Sequence, residues 1–570
     1  MTDDASIRHG DLSDEYKMQF VLLELEHLLR SAATPSTLSD YGLPLPNSNA
    51  LETLSNRLLM EERNYDKESL TTCYKSAYAT LHEKQKHVFD HVMSTLVADQ
   101  QVLSFVYGHG GTGKTFLWST IIAKLRSEGK IVLAVAASGI ASLLLPSGRT
   151  AHSRFKIPQD LTDQSVCNIK KGTHVGILLT ETTLIVWDEA PMSDRRCFEA
   201  LDKCLRDLTG NSNTPFGGKS MLLGGDFRQT LPVIPKASRN VILKSSLPRS
   251  YLWRHFKVFK LTENMRLAQP GMTAVERVEV QTFSNWLLDI GDGLLGQLDE
   301  NDPQNAKLIN IPSKFIIPHN ENAINDLIDF IYDNDTLACP SPESLSKKAI
   351  VCPKNETTDI INNTVLERIP GASRTYLSTD TVIPRSDNSE DIDLLYPSEY
   401  LNMLEFSGLP AHKLHLKIGS PVILLRNINQ REGLCNGTRL IVTQLLPRVV
   451  EAKIITGTAV GRKVYIPRIS LTHNDQELPF TFKRKQFPLR LCYAMSINKS
   501  QGQSLNKIGV YLPEPVFSHG QLYVALSRAT SPNAVKILIV PSDDSNPNVT
   551  KNVVYTDFLS EIDTTTTTFA

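Results

Sequence analysis

The tightest constraint on the fold is an eight-residue loop. Residues 108–115 read Gly-His-Gly-Gly-Thr-Gly-Lys-Thr, between the apolar run QVLSFVY and the helical pattern KTFLWSTIIAKLRSEGK. The stretch fits G-x-x-x-x-G-K-[ST] with a strand before it and a helix after it. Small residues let backbone N–H groups converge on phosphate oxygens, and the helix N-terminus adds a favourable partial charge. Gly108, Gly110, Gly111, Thr112 and Gly113 would form the cradle. Lys114 would reach the β- and γ-phosphates, and the Thr115 hydroxyl would hold Mg²⁺. His109 occupies a variable position of the pattern and is given no role.

The loop sets the expectation for what surrounds it. The runs KIVLAVAAS, TTLIVWDEA and SMLLGGD are apolar without alternation, and each ends in small or acidic residues. Such runs fit parallel strands covered on both faces by helices, hence an α/β fold. Sites in these sheets form at the carboxyl ends of the strands. There LIVWDEA places Asp188 to hold Mg²⁺ and Glu189 to orient or deprotonate an attacking water. Gln229, in LLGGDFRQTLPV, lies just past another strand, where an amide can sense the γ-phosphate. Two adjacent acids point to hydrolysis rather than transfer to a substrate hydroxyl.

The 570 residues suffice for several domains, and 41% hydrophobic content supports packed cores. Sixty basic residues against 61 acidic ones give a net charge of −1, so bulk charge does not argue for nucleic-acid binding. A local basic groove is still compatible with that balance. No apolar run is long enough for a membrane helix, and the acidic start MTDDASIRHGDLSDEYK is unlike a secretory or mitochondrial leader. The eight cysteines are scattered without a CxxC pair, which speaks against zinc or disulfides.

The texture divides the chain. Residues 1–76 read as a helical segment, through QFVLLELEHLLRS and NALETLSNRLLMEER. A first α/β lobe spans 77–245. A second is expected over 246–365, beginning at YLWRHFKVFKLTENMR, and resumes over 486–545. Turn-rich alternating strands over 366–485 suggest a small β-barrel inserted into it. The basic run FKRKQFPLR (482–490) could line a nucleic-acid path, serve import or be a solvated hairpin. The tail 546–570, ending in DTTTTTFA, is expected to be disordered.

Taken in order, several blocks resemble the Pif-type DNA helicases of superfamily 1, in the version found in Helitron transposons. They are LHEKQKHVFDHV, the phosphate loop, AVAASGIASLLLPSGRTAHSRFKIP, IVWDEAPM, PFGGKSMLLGGDFRQTLPVIP, LTENMR, YAMSINKSQGQSL and QLYVALSRAT. They cover about 450 residues, from about 81 to 530. The resemblance implies two RecA-like lobes with an SH3-like insertion in the second. It implies ATP as fuel, with Gln85 reading adenine, and Arg266 and Arg528 contacting the γ-phosphate from the second lobe. It places Thr150, His152 and Phe155 against single-stranded DNA, with Phe155 stacking on a base or, alternatively, sitting in the core. Lys499, Ser500 and Gln501 fall in the block that couples DNA contact to the ATP cleft. This chain departs from the family pattern at Asn498, where a histidine is usual, and at Thr230, which precedes Leu231-Pro232. No paired-histidine endonuclease motif of the Helitron type is present.

The expected activity is ATP-driven movement 5′→3′ along single-stranded DNA, with unwinding of forked duplexes, by a monomer working in the nucleus. Replication, repair, recombination and transposition are all compatible. The rival readings are a translocase that does not separate strands and an inactive transposon-derived DNA-binding protein.

Overall fold

The structure is a computed structural model. It describes residues 37–45, 56–268, 271–384, 396–429, 432–457, 459–474, 478–541 and 546–567, together with Met18, Leu22, Leu25 and Glu26. The helix expected over 19–31 lies almost wholly outside these residues. Among the described residues no helix is long and apolar enough to cross a membrane.

The first lobe is built on six parallel strands: β1 (Leu103–Gly108), β2 (Val132–Ala136), β3 (Arg149–Thr150), β4 (Leu184–Asp188), β5 (Ser220–Gly225) and β6 (Lys257–Leu261). Their order is β3-β2-β4-β5-β1-β6. Every residue of β2, β4 and β5 is buried, which accounts for the absence of alternation in their sequences. Before the sheet lie α1 (Arg57–Arg63), α2 (Lys67–Thr80) and α3 (Glu83–Val97). The helix after the phosphate loop is α4 (Lys114–Ser127), against which α2 packs. Two further helices, α5 (Ala151–Phe155) and α6 (Arg195–Thr209), follow β3 and β4. The apolar stripe of α6 (Cys197, Phe198, Leu201, Cys204, Leu205) faces the core.

One expected boundary moves. The segment KVFKL was assigned to the second lobe, but as β6 it pairs in parallel with β1, Phe105 opposite Val258 and Gly108 opposite Leu261. The first lobe therefore extends past 245, and Arg266 sits on the chain leaving its edge strand.

The second lobe opens with α7 (Ala274–Gly291) and contains a parallel sheet ordered Ala494–Ser496, Lys348–Cys352, Lys507–Leu512, Val535–Ile539. Helix α8 (Gln521–Ser527) lies between its last two strands. Between Cys352 and Ala494 the chain departs into antiparallel sheets of five, three and two strands. The strand Leu489–Leu491 belongs to the five-stranded sheet, so the insertion reaches beyond 485. Within the basic run, Arg484 is buried and its Nε and Nη2 donate to both carboxylate oxygens of Asp380 at 2.9 and 2.6 Å. The run is thus partly an internal fastening rather than a uniformly solvated hairpin.

The expectation of a disordered tail is also corrected. Residues Val549–Val553 form a strand antiparallel to Ala306–Asn310, and a helix runs Thr556–Thr567. Phe558, Leu559 and Ile562 are buried in the main core, where Phe558 meets Phe227 edge-on. Alternating burial along the strand and the i, i+1, i+4 apolar set of the helix outweigh the polar composition of the last residues.

Because Phe558 fills a packed site, Phe558→Ala should destabilise the protein by about 3–5 kcal/mol. Urea denaturation followed by tryptophan fluorescence would register it, and an unchanged midpoint would return the tail to an unstructured role.

Candidate functional site

The carboxyl ends of β1, β4 and β5 converge on one cleft. Gly111 and Gly113 adopt positive φ of 95° and 77°, which turns the loop so that α4 starts at Lys114. A side chain at Gly113 would collide with Gln85, its Cβ lying 2.5 Å from Gln85 Nε2. Opposite the loop stand Asp188, at the end of β4, and Glu189, held at φ 51°. A cavity of about 350 Å³ is lined by the loop, Thr115, this acidic pair, Gln229, Arg266, Arg528 and the stretch Gly502–Ser504. That volume lies within the ~300–1,000 Å³ range usual for small-molecule sites.

The charges inside are mutually dependent. Lys114 Nζ donates to the carbonyls of Gly108 and His109. Burial pushes the Asp188 carboxyl upward, opposed by Lys114. Burial and the neighbouring Asp188 push Glu189 up to about 7, against the pull of Lys114 and Arg528. Two adjacent buried carboxyls facing one lysine, with the Thr115 hydroxyl also on the cleft, form a hard-oxygen donor set suited to Mg²⁺.

Both arginines reach the loop. A Cβ on Gly110 would lie 3.9 Å from Arg528 Nη2, and one on Gly111 would lie 3.2 Å from Arg266 Nε. Arg528 donates through Nε to Val524 O (3.0 Å) and through Nη1 to Gln503 O (3.1 Å), which fixes it along α8. Arg266 Nη1 donates to Ala529 O at 2.9 Å, so a residue leaving the first lobe is anchored on the second. Burial, together with the nearby Arg528, lowers Arg266 to about 10. Gln85 is buried beside the loop: its Nε2 donates to Thr112 O (3.0 Å) and its Oε1 accepts from His82 N (3.0 Å). In this state it braces the loop and does not line the cavity.

The expected DNA contacts separate into two groups. Ala136 of β2 stands opposite both Asp188 and Thr150, so Thr150 lies two strands from Asp188 on the same sheet edge, about 10 Å away. His152 is exposed, with Nε2 3.8 Å from Cys197 Sγ, and Lys499 is half-buried. Phe155, by contrast, has no exposed surface and packs on Trp187, with ring centroids 5.8 Å apart. In α5, Ala151, Arg154 and Phe155 are the buried residues and His152 and Ser153 face outward. That i, i+3, i+4 spacing is core periodicity, and base stacking by Phe155 is excluded in this state.

Ser500 and Gln501 are likewise fully buried and do not face a nucleic-acid surface. Ser500 caps its own turn, donating to Ile497 O at 2.7 Å. Gln501 instead joins the lobes. Its Nε2 donates to Gln229 Oε1 (3.1 Å) and its Oε1 accepts from Thr230 Oγ1 (2.9 Å). Thr230, a departure from the family pattern, supplies half of the link.

The rest of the loop carrying Gln229 is held the same way. Asp226, fully buried, accepts from Tyr523 Oη of α8 at 2.8 Å. Arg228 pairs with Asp292 at the end of α7, at 2.6 and 3.2 Å. His519 Nε2 lies 2.9 Å from Phe227 O, and its Nδ1 accepts from Tyr555 N–H at 3.0 Å. An N–H donor on Nδ1 requires that nitrogen to be unprotonated, so Nε2 carries the proton and the ring is neutral. Asp226 was legible as part of GGDF without a role, whereas His519 carried no sequence signal.

The family model described as PIF1-like helicase matches residues 80–301, and the one described as DNA helicase Pif1, 2B domain matches residues 399–445. The ATP-dependent DNA helicase Pif1 of Campylobacter jejuni is 27% identical over 468 residues, covering 79% of this chain and 91% of that protein. The crystal structure of Pif1 helicase from Candida albicans superposes with a TM-score of 0.58 at 24% identity, covering 85% of this chain and 99% of the other. Bacteroides Pif1 bound to single-stranded DNA gives 0.55 at 23%, covering 81% and 94%.

Burial lowers His519 to about 4, below its unfolded value of about 6.5. The unfolded chain then binds more protons between those values, so this residue's contribution is present above about pH 6.5 and is lost on acidification toward about 4. The loss should approach about 3 kcal/mol. Denaturation midpoints compared across this window should fall more steeply for the wild type than for His519→Gln; parallel slopes would remove His519 from the joint.

Proposed function

The chain belongs to the Pif1-like helicase family, and on that premise we propose that it is an ATP-dependent DNA helicase moving 5′→3′ on single-stranded DNA and separating duplex strands. The observation that carries this reading is the cleft itself. The phosphate loop, the acidic pair and two arginines meet there, and the sensor Gln229 is hydrogen-bonded to Gln501 of the opposite lobe.

In the proposed mechanism the loop's N–H groups and Lys114 take the triphosphate, and Thr115 and Asp188 hold Mg²⁺. The ion, when bound, neutralises charge on the phosphate oxygens. Glu189 accepts a proton from the water that attacks the γ-phosphorus, for which a pKa near neutrality is suited. Arg266 and Arg528 neutralise charge that develops on the γ-phosphoryl oxygens. Loss of the γ-phosphate releases Gln229, and the change passes through Gln501 into the second lobe. Thr150, His152 and Lys499 remain as single-strand contacts, Gln85 as the adenine reader once it exchanges partners. Since one chain supplies both arginines, the cleft is complete in a monomer. DNA as substrate also supports a nuclear place of work.

Forked duplexes with a 5′ or a 3′ single-stranded tail test the activity, with Lys114→Ala as the inactive control. Unwinding should occur only from the 5′ tail; unwinding from the 3′ tail alone would overturn the direction, and DNA-stimulated ATPase without unwinding would make the protein a translocase. If Glu189 is the base, kcat/KM for ATP should rise about tenfold per pH unit below about 7 and level off above it. Glu189→Gln should abolish turnover, and a flat profile in the wild type would assign the base elsewhere.

A further inference from the structure

The segment before the first lobe lies outside the regions matched by the family, which begin at residue 80. Its residues 56–66 are nonetheless fastened to the stretch 146–154 that carries Thr150 and His152. Glu62 is 6% exposed and lies between two guanidiniums that are themselves buried, Arg126 (3%) and Arg154 (5%). Its Oε1 accepts from Arg154 Nη2 and its Oε2 from Arg126 Nη2 at 3.2 Å. Tyr65 Oη donates to Glu62 Oε2 (3.2 Å) and also lies 3.1 Å from Ser147 Oγ, while its ring lies 4.2 Å beneath the Arg126 guanidinium. Arg126 in turn donates to Pro146 O (3.3 Å) and Val132 O (3.0 Å). Arg149 faces Glu61 at 3.7 Å. The segment is also pinned by Asn56 Nδ2 to His174 O (2.9 Å) at its start and by Arg63 to Glu181 (3.2 Å) next to Glu62.

We propose that residues 56–66 are a brace that sets the position of the 146–156 stretch for single-stranded DNA, with Glu62 and Tyr65 as its positioning residues. Buried charges persist only where partners satisfy them, so the two arginines can occupy this site only with Glu62 in place. Arg154 is on the inward face of α5, whose outward residues are His152 and Ser153. Fixing Arg154 therefore fixes the register in which that face is presented. Arg126 is in the last turn of α4, 12 residues or about 18 Å from Lys114, so the brace acts on the DNA side of the lobe more than on the phosphate loop.

This inference rests on the DNA-binding reading above, and the test separates the two. ATP hydrolysis by the full chain would be measured against increasing oligo-dT for the wild type, Tyr65→Phe and Glu62→Gln, alongside thermal melting. Tyr65→Phe keeps the ring over Arg126 and removes only the hydroxyl, so its fold should melt as the wild type does. We expect the half-saturating oligo-dT concentration to rise about threefold for Tyr65→Phe and at least about tenfold for Glu62→Gln. KM for ATP and the DNA-free rate should stay unchanged. Unchanged DNA response in both variants, or KM for ATP rising in step with it, would overturn the brace. A wild type indifferent to oligo-dT would overturn the DNA reading and the brace with it.

Discussion

The structure depends on the grip of the second lobe on five residues of the first. Asp226, Phe227, Arg228, Gln229 and Thr230 form the loop after β5, and each has a partner beyond residue 290: Tyr523, His519, Asp292 and Gln501, the last taking both Gln229 and Thr230. A loop at the end of a strand is ordinarily free to adapt to its ligand. Here a shift in Gln229 cannot occur without breaking or carrying a buried hydrogen bond to the other lobe. Unmade buried hydrogen bonds are costly, which favours two discrete arrangements over a continuum.

The same contacts explain why the cleft is polar yet closed. Asp226, Gln229, Thr230, Gln501, His519 and Arg528 are all buried, and each is satisfied across or beside the lobe boundary. In a low-dielectric joint such bonds are strong and directional, and they admit one protonation pattern. His519 illustrates this, since only the neutral ring with its proton on Nε2 satisfies both Phe227 O and Tyr555 N–H. The glycines nearby serve close approach: a Cβ on Gly520 would lie 2.2 Å from Arg228 O. Lobe contact of this kind leaves no room for a bulkier residue.

What the sequence made legible follows from the range over which chemistry acts. The phosphate loop and Asp188-Glu189 each need fixed residue types within a few positions, and the structure brings them together. The block places Gln501 between DNA contact and the ATP cleft, but its partners Thr230 and Gln229 are 271 and 272 residues away, and a linear pattern does not carry them. For Phe155 the residue type leaves base stacking and core placement both open, and the choice is made by the buried face of a five-residue helix. The tail misled by composition, since its threonines follow the strand and the Phe558, Leu559, Ile562 set that bury it. β6 was misplaced because an edge strand with alternating exposure lacks the continuous apolar signature of its neighbours.

The insertion adds a constraint that links the stretch proposed to contact DNA to the same joint. A Cβ on Gly437 would meet Ile140 Cγ1 at 2.6 Å, and one on Gly139 would meet Asn436 O at 1.9 Å, so the insertion rests directly on the stretch after β2. Gly502, next to Gln501, approaches Ala141 of the same stretch, where a Cβ would lie 3.2 Å from that residue's own. The 139–156 region is thereby touched from three sides: by the insertion, by the Gln501 block and by the N-terminal segment. Two of these three belong to the second lobe and move with it, while the third is bonded within the first. A relative motion of the lobes would, on the proposed reading, act first on Gly139, Ile140 and Ala141, and through them on the stretch that carries Thr150 and His152. On the proposed reading, the N-terminal brace supplies the fixed reference against which that motion acts on a single strand. A chain with net charge −1 can then engage nucleic acid through a few placed groups rather than through bulk charge.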